Sequence, residues 1–150
     1  MKRRSNKLVP GDVYAVNLSD GSFALGQVCH GGDFAFFDGR FQSPSAQDVS
    51  GKSVAFRVPV AVDAPKLGNW EPLGPAPLDE RLAIAAKYKH RPVGSRQAFV
   101  HVEGQSVPAT DAEVEGLEVL ATWFSNHIEQ RLEDFFAGRP NKFAQSLQLD

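Results

Sequence analysis

The stretch at residues 11–28 reads GDVYAVNL, then SDGS, then FALGQV. Asp20-Gly21 supplies a residue that can adopt a positive φ between two runs of strand-forming side chains, which is a strong signal for a β-hairpin. The sequence therefore predicts antiparallel strands at residues 13–18 and 23–30. Gly26 inside the second strand indicates a bulge, a bend or a close approach by another segment.

Further strands are expected after the hairpin. Residues 34–37 read FAFF, and residues 54–62 alternate apolar side chains in the cleanest strand pattern of the chain. Pro59 cannot donate a hydrogen bond to a neighbouring strand, so this strand should lie at a sheet edge or be bulged there. Because both faces of these strands are largely apolar, we expect a strongly bent, mostly antiparallel sheet of about five or six strands, partly closed like a barrel.

The region after this strand carries weaker signals. Trp70 lies in a Pro- and Gly-rich segment and is typical of a residue that plugs the end of a small core. Residues 79–88 indicate a short helix, because Asp79 is a suitable cap and alanines follow. Residues 98–102 indicate a brief strand, and residues 104–108 a turn.

The C-terminal part of the sequence predicts one long helix. Thr110 with Glu113 fits a capping box, and Gly138 fits a helix end, so we expect a helix over residues 110–138. Its apolar stripe would pack on the sheet, and the tail at residues 139–150 would cover the end that overhangs. The expected fold class is therefore α+β, with a long C-terminal helix packed on the sheet.

The composition fits one domain: the chain has 150 residues, of which 42% are hydrophobic, and a net charge of −2. Its single cysteine, Cys29, excludes an intrachain disulfide and fits a reducing compartment. No stretch approaches the roughly 20 apolar residues of a membrane span. We expect a soluble cytoplasmic protein with a flexible basic N-terminus at residues 1–9, which lacks the apolar segment of a signal peptide, and a β-rich body at residues 10–103.

The far side of the predicted long helix is acidic. Glu129 and Glu133 form a like-charge pair four residues apart, which destabilises a helix unless something compensates, and Trp123 lies nearby on the same side. Local rules that are broken without visible compensation tend to mark functional positions. A structural explanation is the more ordinary one: Arg131, Arg139 or Lys142 neutralises the acids, and Trp123 is covered by the tail or by residues 82–88.

No motif in the sequence indicates an enzyme, a metal site or a cofactor. The histidines, His30, His90, His101 and His127, show neither a metal-binding pair four residues apart nor HExxH. Cys29 and His30 are consecutive in a strand and should point to opposite faces, so they do not form a nucleophile with its base. We therefore expect a protein without catalytic residues, metal or cofactor.

Nucleic-acid binding by a β-barrel module is the alternative function. Such binding requires aromatic rings on which bases stack and cations that contact the phosphate backbone. The candidate residues are Phe34, Phe36, Phe37, Phe41, Arg40, Lys52 and Arg57. Phe-rich strands are more often core, and the slightly acidic total charge disfavours this function.

Several ordered motifs resemble the bacterial immunity protein 26 family. They are the Gly-Asp run at residues 11–16, Asp20-Gly21, the Ala-x-Gly-x-Val run at residues 24–28 and the Trp-Glu-Pro-Leu-Gly element at residues 70–74. The match covers roughly residues 8–78 and leaves out the predicted long helix. Members of that family are regarded as immunity proteins of polymorphic toxin systems, each of which binds a cognate toxin. The resemblance implies a non-enzymatic cytoplasmic inhibitor, with no catalytic residues to carry over.

The resemblance and the charge pattern together suggest a kind of partner. Many toxins that act on nucleic acid are basic, and an acidic surface around an aromatic anchor would complement such a toxin domain. The expected toxin-binding residues on the helix are Glu115, Glu118, Trp123, Glu129 and Glu133. The second candidate surface consists of Asp20, Asp38 and Trp70.

Overall fold

The computed structural model of the chain describes residues 8–148, which form an α+β fold. Their strands form two antiparallel sheets, and a C-terminal helix packs on the larger one. The fold class predicted from the sequence is therefore confirmed. The predicted basic N-terminus falls outside the described residues, apart from Leu8, which packs against the core, and Val9, which is exposed.

The larger sheet has the strand order β4-β3-β2-β1-β5, and the smaller sheet has the order β6-β7-β8. The first five strands are β1 (Asp12–Asn17), β2 (Phe23–Val28), β3 (Phe34–Phe37), β4 (Val54–Val58) and β5 (Glu71–Pro75). The other three are β6 (Tyr88–His90), β7 (Ala98–Val102) and β8 (Gln105–Ala109). The helices are α1 (Ala64–Leu67), α2 (Asp111–Val114), α3 (Ser125–Ala137) and α4 (Lys142–Gln148), and a 3-10 turn covers Ala46–Val49.

The predicted hairpin is present, and its register follows from the turn. Asn17 pairs with Phe23 at the start of the ladder, and Gly21 adopts a φ of 85°. The Asp20 carboxylate accepts a hydrogen bond from the backbone N–H of Ser22 at 2.9 Å, a local bond typical of Asp in turns. The Asp-Gly signal therefore fixes the two central strands of the sheet.

Gly26 marks a close approach of another strand. A Cβ atom there would lie 2.7 Å from Cε1 of Phe36, whose ring is buried and stacks 5.7 Å from that of Phe34. We expect Gly26→Ala to lower the free energy of unfolding by about 1–3 kcal/mol, because the packed ring has little room to move. Urea denaturation of the single variants and of Gly26→Ala with Phe36→Leu would test this. Gly26→Ala should lower the free energy of unfolding less when the smaller leucine replaces Phe36. Equal costs in both backgrounds would contradict the proposed overlap.

The larger sheet is covered on both faces. One face carries Phe34 and Phe36 under α3, and Trp70 closes the end of this core with 3% of its surface exposed, as its loop position predicted. The opposite face carries Leu25, Cys29, Ala35 and other residues under the 3-10 turn and the loop at residues 76–82. The continuous apolar pattern of the strands therefore reflects burial on both sides.

The edge position predicted from Pro59 is confirmed. β4 is the last strand of the sheet, and it ends at Val58, earlier than the predicted residue 62. Beyond it, the backbone N–H of Trp123 donates to the Pro59 carbonyl at 3.0 Å, and the backbone N–H of Ala61 donates to the Trp123 carbonyl at 2.9 Å. The C-terminal segment thereby continues the pairing where the strand itself stops.

The short helix predicted at residues 79–88 is wrong. Only a turn forms after Asp79, whose carbonyl accepts hydrogen bonds from the N–H groups of Leu82 and Ala83. The carbonyls of Arg81 and Ile84 instead accept hydrogen bonds from the Arg57 guanidinium at 3.0 and 2.9 Å. A helix that continued here would use these two carbonyls as acceptors for its own N–H groups, but they are bonded to a side chain of β4.

The single helix predicted over residues 110–138 is also wrong, because it is interrupted. The capping box at Thr110 exists, but it starts only the single turn α2. Gly116 then adopts a φ of 82°, and Lys89 of β6 exchanges hydrogen bonds with the backbone of Glu118 and Leu120. Because this segment pairs with strand edges, the regular helix begins only at Ser125.

The end of the C-terminal helix matches the prediction. Gly138 adopts the left-handed conformation with a φ of 71° and stops α3. The tail then forms α4, from which Phe143 and Leu147 pack against the core, while Leu149 lies outside the described residues. Among residues 8–148, no helix has the length and apolar character that crossing a membrane requires.

Candidate functional site

Trp123 is a core residue, contrary to its predicted place on the far side of a helix. None of its surface is exposed, and its ring packs edge-on against the ring of Phe143 with centroids 4.8 Å apart. The Arg131 guanidinium lies 5.0 Å from the Trp123 ring. The tail therefore covers the tryptophan, as the structural explanation proposed.

Glu129 and Glu133 of α3 bind two connections of the sheet. Glu129 accepts a hydrogen bond from the Trp70 indole N–H at 2.9 Å, and Glu133 accepts one from the backbone N–H of Ser19 at 3.1 Å. These contacts compensate the like-charge pair by attaching two successive turns of the helix to different parts of the sheet. The anomaly that suggested a binding face therefore has a structural cause.

The remaining two residues of the predicted helix face are separated from the others. Glu118 forms a two-fold hydrogen bond with the Arg131 guanidinium at 2.9 and 2.7 Å. Glu115 is exposed and lies in the segment after α2. The five predicted residues thus do not form one surface, because the helix that was to align them is interrupted.

The second candidate surface is partly present. Asp20 and Asp38 are exposed, but Trp70 is buried. Phe23 at the start of β2 pairs with Phe41, which brings the segment after β3 beside the hairpin turn. Asp20 also lies 3.5 Å from Arg40, and hydrogen bonds from Ser22 hold the pKa of Asp20 below its ordinary value.

The two predicted surfaces meet at this end of the sheet. Ser19 in the hairpin turn donates to Glu133 of α3, so Glu133 lies beside the turn that carries Asp20. We name Asp20, Asp38 and Glu133 the hairpin end of the sheet. Arg40 stacks over the ring of Phe136 at 5.3 Å, and the neighbouring Phe135 is 39% exposed.

A buried ion pair between β3 and β4 was not foreseen. Arg57 donates from Nε to Asp33 Oδ2 at 2.8 Å and from Nη2 to Oδ1 at 3.1 Å, and the Tyr88 hydroxyl also donates to Asp33. The side chains of Arg57 and Asp33 are 13% and 9% exposed. The pair therefore joins the larger sheet to β6 of the smaller one.

The pKa shifts around this pair favour inert protonation states. Burial and the hydrogen bond to Asp33 raise the pKa of Tyr88. Burial, the largest single effect, would lower the pKa of Arg57, but its hydrogen bond to Asp33 and the charges of nearby groups, Asp33 among them, together raise this pKa. Burial raises the pKa of Cys29 to about 12, so the thiol stays protonated and behaves as the small apolar residue predicted from the sequence.

A cleft of about 540 Å³ separates the two sheets beside the ion pair. Its polar side chains include His30, whose Nε2 lies 3.8 Å from Glu103 Oε1, and His101, whose Nδ1 lies 3.0 Å from the Ser106 hydroxyl. Within the described part of the chain, no group of three His, Cys, Asp or Glu side chains is placed to hold a metal ion. These residues come from separate turns and strands, so their spacing in the sequence gives no signal of the cleft.

A larger cavity of about 870 Å³ lies on the face of the larger sheet that is opposite α3. Gln27 and Arg57 line it from the sheet, and the loops at residues 47–53 and 76–82 form its walls. Of the aromatic residues considered for base stacking, Phe34, Phe36 and Phe37 are buried in the core and are not accessible to a base.

Comparison of the chain with protein-family models, with curated proteins and with solved structures gives no match. The resemblance to the immunity protein 26 family therefore stays a prediction made from the motifs.

Proposed function

We propose that the protein is a non-enzymatic immunity protein that binds and neutralises a bacterial toxin domain in the cytoplasm. The ordered motifs at residues 11–28 and 70–74 support this family role. The observation that carries the proposal is the contact between Ser19 and Glu133, which places Glu133 of the predicted helix face beside the turn that carries Asp20 of the second surface.

The hairpin end has the properties that a protein interface needs. The turn is held by the hydrogen bond that the Ser22 backbone N–H donates to Asp20 and by the one that Ser19 donates to Glu133. Binding therefore costs little conformational entropy in the turn. Asp38 and Glu133 have no cationic partner among the described residues, which leaves negative charge for steering a basic toxin. The exposed part of Phe135, whose ring contacts that of Phe136 under Arg40, supplies an apolar surface.

The test uses the C-terminal domain of a toxin encoded next to this chain. The wild-type protein should bind this domain in a pull-down and restore growth of cells that express it. Asp20→Lys with Asp38→Lys should weaken binding by at least about tenfold, because cations then face a basic partner.

A matched control changes the charge equally at residues outside the hairpin end. Glu80→Lys with Glu103→Lys alters two exposed carboxylates, and Glu103 lies beside His30, which follows β2 at the end opposite the hairpin turn. This variant should bind as the wild type does and keep the wild-type melting temperature. The hairpin-end variant loses the hydrogen bonds that Ser22 donates to Asp20, so its melting temperature should fall, and binding is compared at a temperature at which all proteins are folded. Equal affinities for all three proteins would exclude the hairpin end as the interface, and failure of the wild type to bind or protect would refute the toxin-binding function.

A further inference from the structure

The large cavity is lined by a largely buried polar side chain, Gln27, whose hydrogen-bonding groups are only partly used by the fold. Gln27 is 1% exposed, and its amide nitrogen donates to the carbonyls of Gly11 and Ala76 at 3.1 and 2.9 Å. Because both amide hydrogens are bonded, the side-chain oxygen has a fixed direction as an acceptor. No donor contacts this oxygen within the described part of the chain, and the oxygen is not among the polar atoms that are buried away from solvent, so it is open to the cavity that Gln27 lines.

An acceptor that is open to a cavity and has no donor from the protein can bind water or a ligand there. Gln27 pairs with Ala35 across the sheet, and Ala35 pairs with Arg57, so Gln27 and Arg57 lie on the same face in one cross-strand row. Nη1 of Arg57 donates one hydrogen bond, to the Arg81 carbonyl. The second N–H of Nη1 is left for another acceptor. The two side chains thus offer an acceptor and a donor to the same cavity.

The charges that line this cavity favour an anion. Lys52, Arg57 and Arg81 face it together with one carboxylate, that of Asp79. Arg57 is neutralised by Asp33, and Arg81 lies 3.4 Å from Asp79, whereas Lys52 contacts the ring of Phe41 and forms no ion pair among the residues described. The uncompensated positive charge is therefore that of Lys52, and Arg81 lies with it at the exposed rim of the cavity.

We propose that this cavity binds a small organic anion whose ring carries an amide-type N–H, the chemistry of a uracil nucleotide. The ring N–H donates to Gln27, an adjacent ring carbonyl accepts from Arg57, and the phosphate lies between Lys52 and Arg81. The walls formed by Phe37, Val49, Leu82 and nearby residues are apolar and suit a planar ring. The cavity volume of about 870 Å³ lies within the range of small-molecule sites.

The chemistry of the ligand can be tested on the unaltered protein by isothermal titration calorimetry. Uridine 5′-monophosphate should bind at least about tenfold more tightly than uridine or ribose 5-phosphate, which each lack one of the recognised groups. 3-Methyluridine 5′-monophosphate lacks the ring N–H and should also bind at least about tenfold more weakly. Absence of saturable binding by uridine 5′-monophosphate, or equal binding of its methylated form, would overturn the proposal.

Two exposed cations allow a test on the protein side. Lys52→Ala with Arg81→Ala should weaken binding of uridine 5′-monophosphate by about tenfold and leave uridine binding unchanged. Lys66→Ala removes an exposed lysine of α1 and should leave the affinity for the nucleotide as in the wild type. An equal loss for nucleotide and nucleoside would contradict the assignment of the phosphate to the rim. This site goes beyond the proposed toxin binding, and its test uses no toxin, so the two proposals fail independently.

Discussion

Replacing Arg57 by methionine is expected to lower the free energy of unfolding by about 3–5 kcal/mol. The change leaves the Asp33 carboxylate, which is 9% exposed, without its cation, while Tyr88 remains its hydrogen-bond donor. It also removes the donors to the carbonyls of Arg81 and Ile84, which hold the loop after Asp79. Methionine keeps much of the apolar stem of the arginine, so the loss reports mainly on charge and hydrogen bonding.

Urea denaturation at neutral pH measures this loss, and a double variant separates its causes. Arg57→Met with Asp33→Asn removes both charges and should be more stable than Arg57→Met alone, because no uncompensated carboxylate remains. Arg81→Ala is the control, since its exposed side chain should contribute less than about 0.5 kcal/mol. A loss below about 1 kcal/mol for Arg57→Met would show that the pair is not needed to join the sheets.

The parts of the fold that follow from neighbouring residues could be predicted. The Asp20-Gly21 turn determines the pairing of β1 with β2, and Gly138 determines where α3 ends. Pro59 predicted an edge strand because a missing N–H is a local property that no distant contact can restore. In each case the decisive chemistry lies within a few residues of the feature that it controls.

The interruption of the C-terminal helix could not be predicted in this way. The sequence over residues 110–138 carries a good cap, an apolar stripe and a good stop. The structure breaks this helix because Lys89 and Pro59 offer hydrogen-bonding partners to its middle segment. Such partners are distant in sequence, and tertiary pairing overrides local helix propensity.

The residues of the candidate site also differ in whether they could be predicted from neighbouring residues. Asp20 and Asp38 were predicted to lie on the surface because turns are exposed, and they do. The hydrogen-bond partners of Glu129 and Glu133 could not be predicted, because Trp70 and Ser19 lie in other elements far away in the chain. A like-charge pair therefore indicated that some compensation exists without indicating whether it was a partner protein or the protein's own sheet.

Replacing Trp123 by alanine is expected to lower the free energy of unfolding by about 3–5 kcal/mol, since a fully buried indole leaves a large cavity. The ring packs against Phe143 of α4 and under Arg131 of α3, so the change should loosen the tail as well as the helix. This outcome contrasts with that of an exposed toxin anchor, whose removal would leave stability unchanged.

The neighbouring Phe124 is the matched control for Trp123. It is also aromatic and adjacent in the chain, but half of its surface is exposed, so Phe124→Ala should change the free energy of unfolding by about 0.5 kcal/mol or less. Urea denaturation followed by far-UV circular dichroism compares both variants with the wild type, and hydrogen exchange should show faster opening of α4 only in Trp123→Ala. Similar small losses for both variants would mean that Trp123 is not buried. The hypothesis that Trp123 is a surface anchor for a toxin would then be supported, because only an exposed indole can be removed without leaving a cavity.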